Sequence, residues 1–172
     1  MDCTHIPEIS CFYSDTIASH ILNPSAHFEY EMILVTDGSA QVQIHDRTYP
    51  LQRGSLLFIS RLEQHQFCIV KEPYCRYVLS VSSDLLLSHL NEPRLASIFM
   101  QRPEYFSHVV QLNEEQLAYF LPFFQKSADE YEKQSDFYTL QSIALLLSIL
   151  ISLYRLYPNV FPMEDSSSLS AA

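Results

Sequence analysis

A chain of 172 residues, 48% of them apolar, is long enough for one domain with a sizeable core, and that composition excludes a wholly disordered polymer. Twenty acidic residues against 10 basic ones give a formal charge of -10, and Met1 to Asp46 carries seven acids with no Lys or Arg. Such a surface repels phosphate backbones, because nucleic-acid affinity rests on basic groups that displace counterions, so direct DNA or RNA binding by this chain is not expected. The start, MDCTHIPEISCFYS, has neither the basic nor the apolar region of a secretory leader. Cys3, Cys11, Cys68 and Cys75 form no CxxC pair. Reduced thiols in a cytoplasmic protein are the expectation.

In chain order, the first half reads as short strands. Residues 9–13, 17–22, 30–36, 40–45, 55–59, 66–70 and 77–81 are rich in β-branched and aromatic types, and turn-prone residues separate them. His45-Asp46 reads as one such turn. Many short strands so closely spaced predict an antiparallel barrel or sandwich. After Ser83 the period becomes helical. Ser83 or Asp84 caps a short helix through Leu90, Pro93 precedes a second, and residues 109–112 form a last strand. Asn113, with Gln116 three places on, opens a long helix whose apolar stripe runs through Leu117, Phe120, Leu121, Phe124 and Ala128. Pro122 inside it predicts a kink or an early break. Ser135 or Asp136 opens the last helix and Tyr157-Pro158 closes it, leaving SSSLSAA as a linker or frayed end. Tyr138–Leu156 has about the length of a membrane span, but its polar interruptions favour burial by protein.

The chemistry gathers around the two glycines, Gly38 and Gly54. His27 precedes Glu31 by four positions, Glu31 precedes Gly38 by seven, and His65 follows Gly54 by eleven. His27, Glu29, Glu31 and Ile33 share one face of an extended strand. Two acids and a histidine on one face suit a wet cavity rather than a packed core.

This set resembles the cupin superfamily, with its motifs Gly-x5-His-x-His-x3,4-Glu-x6-Gly and Gly-x5-Pro-x-Gly-x2-His-x3-Asn. His27, Glu31, Gly38, Gly54 and His65 match. Ser19 stands for the first glycine, Ser25 for the first histidine, and Ser60, Leu62 and Ile69 for the proline, glycine and asparagine. More specifically, HFEYEMILVTDGSAQVQIHDRTYPLQRGSLLFISRLEQHQF resembles the sensor domains of the AraC family of bacterial regulators, and the likeness extends over residues 27–156.

The resemblance implies a mainly β fold with C-terminal helices: a cupin-like antiparallel β-barrel, or double-stranded β-helix, followed by a helical dimerisation hairpin. It implies residues 1–112 as the effector barrel with an N-terminal arm and two short helices, 113–158 as the dimerisation helices and 159–172 as a tail. The fourteen residues after Pro158 are too few for the family's helix-turn-helix modules, so an excised domain is favoured over a stand-alone sensor. The implied function is sensing of a small polar effector, such as a sugar, by a non-enzymatic cytoplasmic homodimer with no membrane contact. A population shift on effector binding would control DNA binding by the missing modules.

Candidate ligand contacts are His27, Glu29, Glu31, His65, Arg76 and Tyr49, with Arg47, Tyr30 and Tyr77 as further donors or stacking partners. His27, Glu31 and His65 also form a two-histidine, one-carboxylate set that suits a divalent metal, although sensors of the family often carry none and no cofactor is required. Leu146, Ile149, Leu150 and Leu153 are assigned to the dimer interface, while His5, His20, His89 and His108 have no partner legible in sequence. Two rivals stand beside this reading: a metal-dependent cupin dioxygenase or isomerase, and an interaction module whose barrel is filled by its own side chains.

Overall fold

A computed structural model describes residues 8–17 and 21–162. Its sheet holds β1 (Ile9–Thr16), β2 (Tyr30–Ile44), β3 (Arg47–Gln52), β4 (Ser55–Ile59), β5 (His65–Val81) and β6 (Val109–Gln111). Four helices accompany them, with β6 lying between the second and third: α1 (Ser83–His89), α2 (Pro93–Met100), α3 (Glu114–Lys133) and α4 (Tyr138–Leu156). A 3-10 turn covers Pro158–Val160. All strand pairs are antiparallel, in the order β1-β5-β2-β4-β6, and β3 pairs with β2 alone.

The barrel exists because β2 and β5 bend together. The first half of β2 pairs with β4 and the end of β5; its second half pairs with β3 and the start of β5. The register shifts between Val35 and Ala40. Gly38 sits at that bend with φ 72, and a Cβ there would lie 2.2 Å from the Pro73 carbonyl oxygen and 2.6 Å from that of Lys71. No other residue type lets the two backbones approach so closely. The expected strands at 30–36 and 40–45 are therefore one strand folded across a bulge.

Alternation along the strands builds two cores. Met32, Leu34, Leu56, Phe58 and Leu79 face outward beneath the helices. Ile33, Val35, Val42, Ile44, Leu51, Leu57, Ile59, Ile69, Tyr74 and Val78 fill the barrel interior. The interior is thus plugged by aliphatic side chains and Tyr74 below its mouth. Cys11, Cys68 and Cys75 are free thiols, and burial pushes the Cys11 thiol up to about 12.

Several expectations need correction. The strand at 17–22 is absent at its described residues, where Ile21 makes only an isolated bridge to Cys68. Residues 47–52, counted among the turn-prone separators, form a strand that includes Pro50. Proline is tolerated there because β3 is an edge strand. Helix α3 runs unbroken through Pro122, whose exposed position lets water reach the carbonyl it leaves unpaired. Ser82, rather than Ser83 or Asp84, caps α1, its hydroxyl accepting from Leu85 N at 3.2 Å. Helix α4 opens at Tyr138 after Phe137 in the left-handed region, with no side-chain cap. The capping box at Asn113 and Gln116 is present, and His45-Asp46 is a turn.

Helix α4 is long and apolar enough to cross a membrane by length and composition. In the fold, however, it packs on the barrel. Leu146, Ile149, Leu150 and Leu153 are at most 3% exposed and belong to the chain's own core. They were assigned to a dimer interface, but an apolar helix lying on a sheet turns its best-packing face inward, which leaves those four unavailable to a partner. Cys3, His5, Ser19, His20 and the terminal SSSLSAA lie outside the described residues.

Candidate functional site

His27, Glu31 and His65 converge at the barrel mouth. Glu31 is the second residue of β2 and lies on its interior face, His65 begins β5, and His27 sits in the segment leading into β2. One potential ligand atom from each lies within 4.8 Å of the others. The His27 and His65 rings meet edge to face, with centroids 5.2 Å apart.

Hydrogen bonds orient both imidazoles. His27 Nδ1–H donates to the Glu29 carbonyl at 3.1 Å, and His65 Nδ1–H donates to the Glu63 carbonyl at 2.9 Å. In the neutral rings this leaves Nε2 of each as a bare lone pair. The Ser25 hydroxyl lies 2.7 Å from His65 Nε2, so the residue standing at the cupin's first histidine still places a polar atom at the site. His27 Nε2 is buried without a well-formed hydrogen bond and lies 3.3 Å from a Glu31 oxygen. The other Glu31 oxygen accepts from Ser80 Oγ at 3.0 Å.

A lone pair facing a carboxylate is repulsive, so a proton or a cation must lie between them. The interaction with Glu31 outweighs burial and raises the His27 pKa. Burial opposes ionisation of Glu31, but His27, Ser80 and His65 together lower its pKa. Two unprotonated imidazole nitrogens, that of His65 engaged by the Ser25 hydroxyl, and one carboxylate also fit a divalent ion of the two-histidine, one-carboxylate type.

The other sequence candidates separate. Glu29 stays near His27, at 3.7 Å. Arg76 lies on the interior face but is tied down elsewhere, donating to Thr16 Oγ1 at 3.0 Å and stacking 4.8 Å over the Tyr74 ring. Tyr49 belongs to a neighbouring cleft of about 280 Å³, where its hydroxyl lies 3.0 Å from His108 Nδ1. Arg47 is bound to the Glu104 carbonyl at 2.8 Å. Tyr30 is buried in the helix-side core, and Tyr77 lies outside the barrel near Phe124.

Sequence reasoning missed Ser80 and the group around Glu63. That buried carboxylate accepts from His108 Nε2 at 2.9 Å, Arg102 Nε at 3.2 Å and Ser60 N at 2.8 Å. Burial would raise its pKa, but these partners override it and hold the carboxyl at about 2. His108 therefore has two partners, and His89 bonds to Ser88 and the Leu85 carbonyl. Nothing local in the sequence signals Glu63 beyond its place two residues before His65.

Residues 7–150 match the family model described as the AraC-like ligand binding domain. The chain belongs to this family. An AraC-like ligand binding domain is an effector-binding regulatory unit, and the cupin-type barrel with helices packed on its face is its fold. The solved structure of apo ToxT from Vibrio cholerae superposes with a TM-score of 0.61 at 11% identity, over 94% of this chain and 61% of that one. At that identity the likeness shows the fold, and this AraC-like domain spans about 61% of the ToxT chain. The Cnp3 cupin domain of Schizosaccharomyces pombe has a TM-score of 0.43 at 9% identity, over 49% of this chain and 63% of that one. The plu4264 protein of Photorhabdus luminescens has a TM-score of 0.41 at 18% identity, over 54% and 81% of the two chains. No curated protein sequence matches the chain significantly.

Proposed function

We propose that this domain senses a small polyhydroxy molecule such as a sugar at the barrel mouth, within a cytosolic bacterial transcription regulator that works as a homodimer. The observation that carries the reading is the meeting of His27, Glu31 and His65 with the Ser25 and Ser80 hydroxyls, above a barrel that is otherwise filled. An ionised carboxylate accepts hydrogen bonds from ligand hydroxyls, and an imidazole nitrogen held at a fixed angle accepts another. A cavity of about 160 Å³ opens beside His65, lined also by Gln43, Gln64 and Gln66 but not by His27 or Glu31. The filled interior keeps a ligand at the rim.

A hydroxyl that replaces Ser25 at His65 would alter the segment before β2. An effector preferring one arrangement of that segment shifts the population toward it, and a helix-turn-helix module outside this sequence reads the change. The reading requires no catalysis. A calorimetric screen of sugars and small polar acids tests it: a hit should lose at least tenfold in affinity in Glu31→Gln and in His65→Ala. Unchanged affinity in both variants would remove the site from this role.

A second reading is a metal-dependent cupin enzyme, favoured by the 4.8 Å clustering of two imidazoles and one carboxylate. Bound there, a divalent ion would act as a Lewis acid on a substrate oxygen. His27, Glu31 and His65 would hold it, and Glu29 and Glu63, through their carbonyls, would keep the imidazoles aimed. Elemental analysis of protein purified without chelators decides between the two, since near-stoichiometric metal together with turnover would favour the enzyme.

A further inference from the structure

On the outside of the barrel, a groove of about 710 Å³ separates β1 from the later turns of α3. Four aromatic residues line it: Phe12 and Tyr13 from β1, Tyr77 from β5 and Tyr131 from α3. Tyr13 and Tyr77 are a cross-strand pair with ring centroids 5.2 Å apart and planes inclined at 57°, which makes a corner rather than a flat stack. Tyr77 is braced from behind by Phe124, with centroids 6.5 Å apart. Tyr13 is 49% exposed and Phe12 45% exposed. Aromatic side chains left open on an edge strand invite association and need a reason to be there.

The acidic residues supply one. Asp129 and Glu132, one helical turn apart on α3, line the same groove, and no Lys or Arg is among its described lining residues. Asp15 adds a carboxylate two residues beyond Tyr13 on the same face of β1. Asp129 has only the exposed Lys133, 3.6 Å away, and Glu132 has no ion-pair partner among the described residues. Aromatic faces attract cations through their quadrupole, and nearby carboxylates balance the charge, whereas an anion would meet repulsion from every side.

We propose that this groove binds a small organic cation, an ammonium or alkylammonium head seated against Tyr13, Tyr77 and Tyr131 with Asp129 and Glu132 balancing its charge. The site is separate from the barrel mouth and does not depend on the effector reading. Because it joins β1 to α3, an occupant would clasp the first strand of the chain onto the helical layer.

Calorimetric titration of the full chain with choline chloride and with 1,4-diaminobutane, at constant ionic strength, tests the site. One saturable event per chain is expected for at least one of the two. Tighter choline binding would identify a head recognised by aromatic faces, and tighter diamine binding a head recognised through N–H donors. Tyr13→Leu, and separately the pair Asp129→Asn and Glu132→Gln, should each weaken binding roughly tenfold. The charge-matched pair Glu115→Gln and Asp46→Asn, which line other clefts, should bind as the parent does. Circular dichroism confirms folding of each variant, and the exposed carboxylate pair serves if Tyr13→Leu does not fold. The proposal is overturned by the absence of saturable binding for both cations, by equal weakening in the charge-matched pair, or by glucose displacing the cation at equal concentration.

Discussion

Glu63 is the residue on which the polar chemistry of the barrel mouth turns. Its carboxylate gathers Ser60 N, Arg102 and His108, while its carbonyl fixes the imidazole of His65. Removing the charge leaves the largely covered Arg102 and the buried His108 beside a neutral amide, and breaking a buried pair costs on the order of 3 kcal/mol. Glu63→Gln should therefore be less stable by about that amount at pH 7 in urea unfolding, and parental stability would show the cluster to be inert. The pH dependence has a definite sign. A carboxyl held at about 2 when folded, against an ordinary value of 4.5, stabilises the fold above pH 4.5. That contribution disappears as the pH falls toward 2, so the parent should lose more stability across this window than Glu63→Gln does. His27 behaves in the opposite sense. Its pKa is raised above 6.5 by Glu31, so the pair's contribution is complete below pH 6.5 and fades as the pH rises through the raised value. An NMR titration should place the His27 imidazole above 6.5, and Glu31→Gln should bring it back. Spacing from two glycines located His27, Glu31 and His65. Glu63 escaped notice because Arg102 and His108 stand 39 and 45 residues away, on segments with no pattern of their own.

Among the elements, the bent pair β2 and β5 is the most sensitive. A methyl group on Gly38 would have to enter space held by the carbonyls of Pro73 and Lys71, neither of which is a flexible side-chain end, and the residue would have to keep a positive φ. Gly38→Ala should cost roughly 3 kcal/mol from strain and crowding, measured by chemical denaturation. A loss below about 1 kcal/mol would mean that the bulge re-forms elsewhere. Strand periodicity is legible where a strand has one dry face, as in the second half of β2, whereas β4 is buried on both faces and reads only as a short apolar run. It gave no sign of the bulge, since Gly38 marks a turn and a fold-over equally well. Helix α4 shows the reverse limitation. With Leu or Ile at most positions, composition alone does not tell which side lies on the barrel. The fold turns Leu150 inward and leaves Ile151 38% exposed. Leu150→Ala should accordingly cost about 3 kcal/mol and Ile151→Ala under about 1 kcal/mol, a contrast that thermal melts resolve directly.

For the molecule as a whole, the question is what covers the outward face of α4. Leu140, Ala144, Leu147 and Ile151 follow one another at helical spacing on its exposed or half-buried side, and Tyr119 of α3 adjoins them through a 3.1 Å contact with Ser152. Burying a few such side chains against a second copy is worth about 1.5–3 kcal/mol each, enough for association at micromolar concentration. This is where the proposed homodimer belongs, and it replaces the inward-facing Leu146, Ile149, Leu150 and Leu153. Each chain also carries a formal charge of -10, so two copies repel one another at long range. Apolar association against charge repulsion should tighten as salt rises, because the screening length falls to about 10 Å at 0.1 M. Sedimentation velocity should thus find a dimer that strengthens between low and moderate salt. The double variant Leu140→Asp, Ile151→Asp should be monomeric while keeping its circular dichroism spectrum. Leu150→Asp, by contrast, should unfold rather than dissociate, because its side chain supports the barrel and not the partner. A parent chain that stays monomeric at all salt concentrations would take the outward face of α4 out of the proposed mechanism, while leaving the barrel mouth and its three converging side chains untouched.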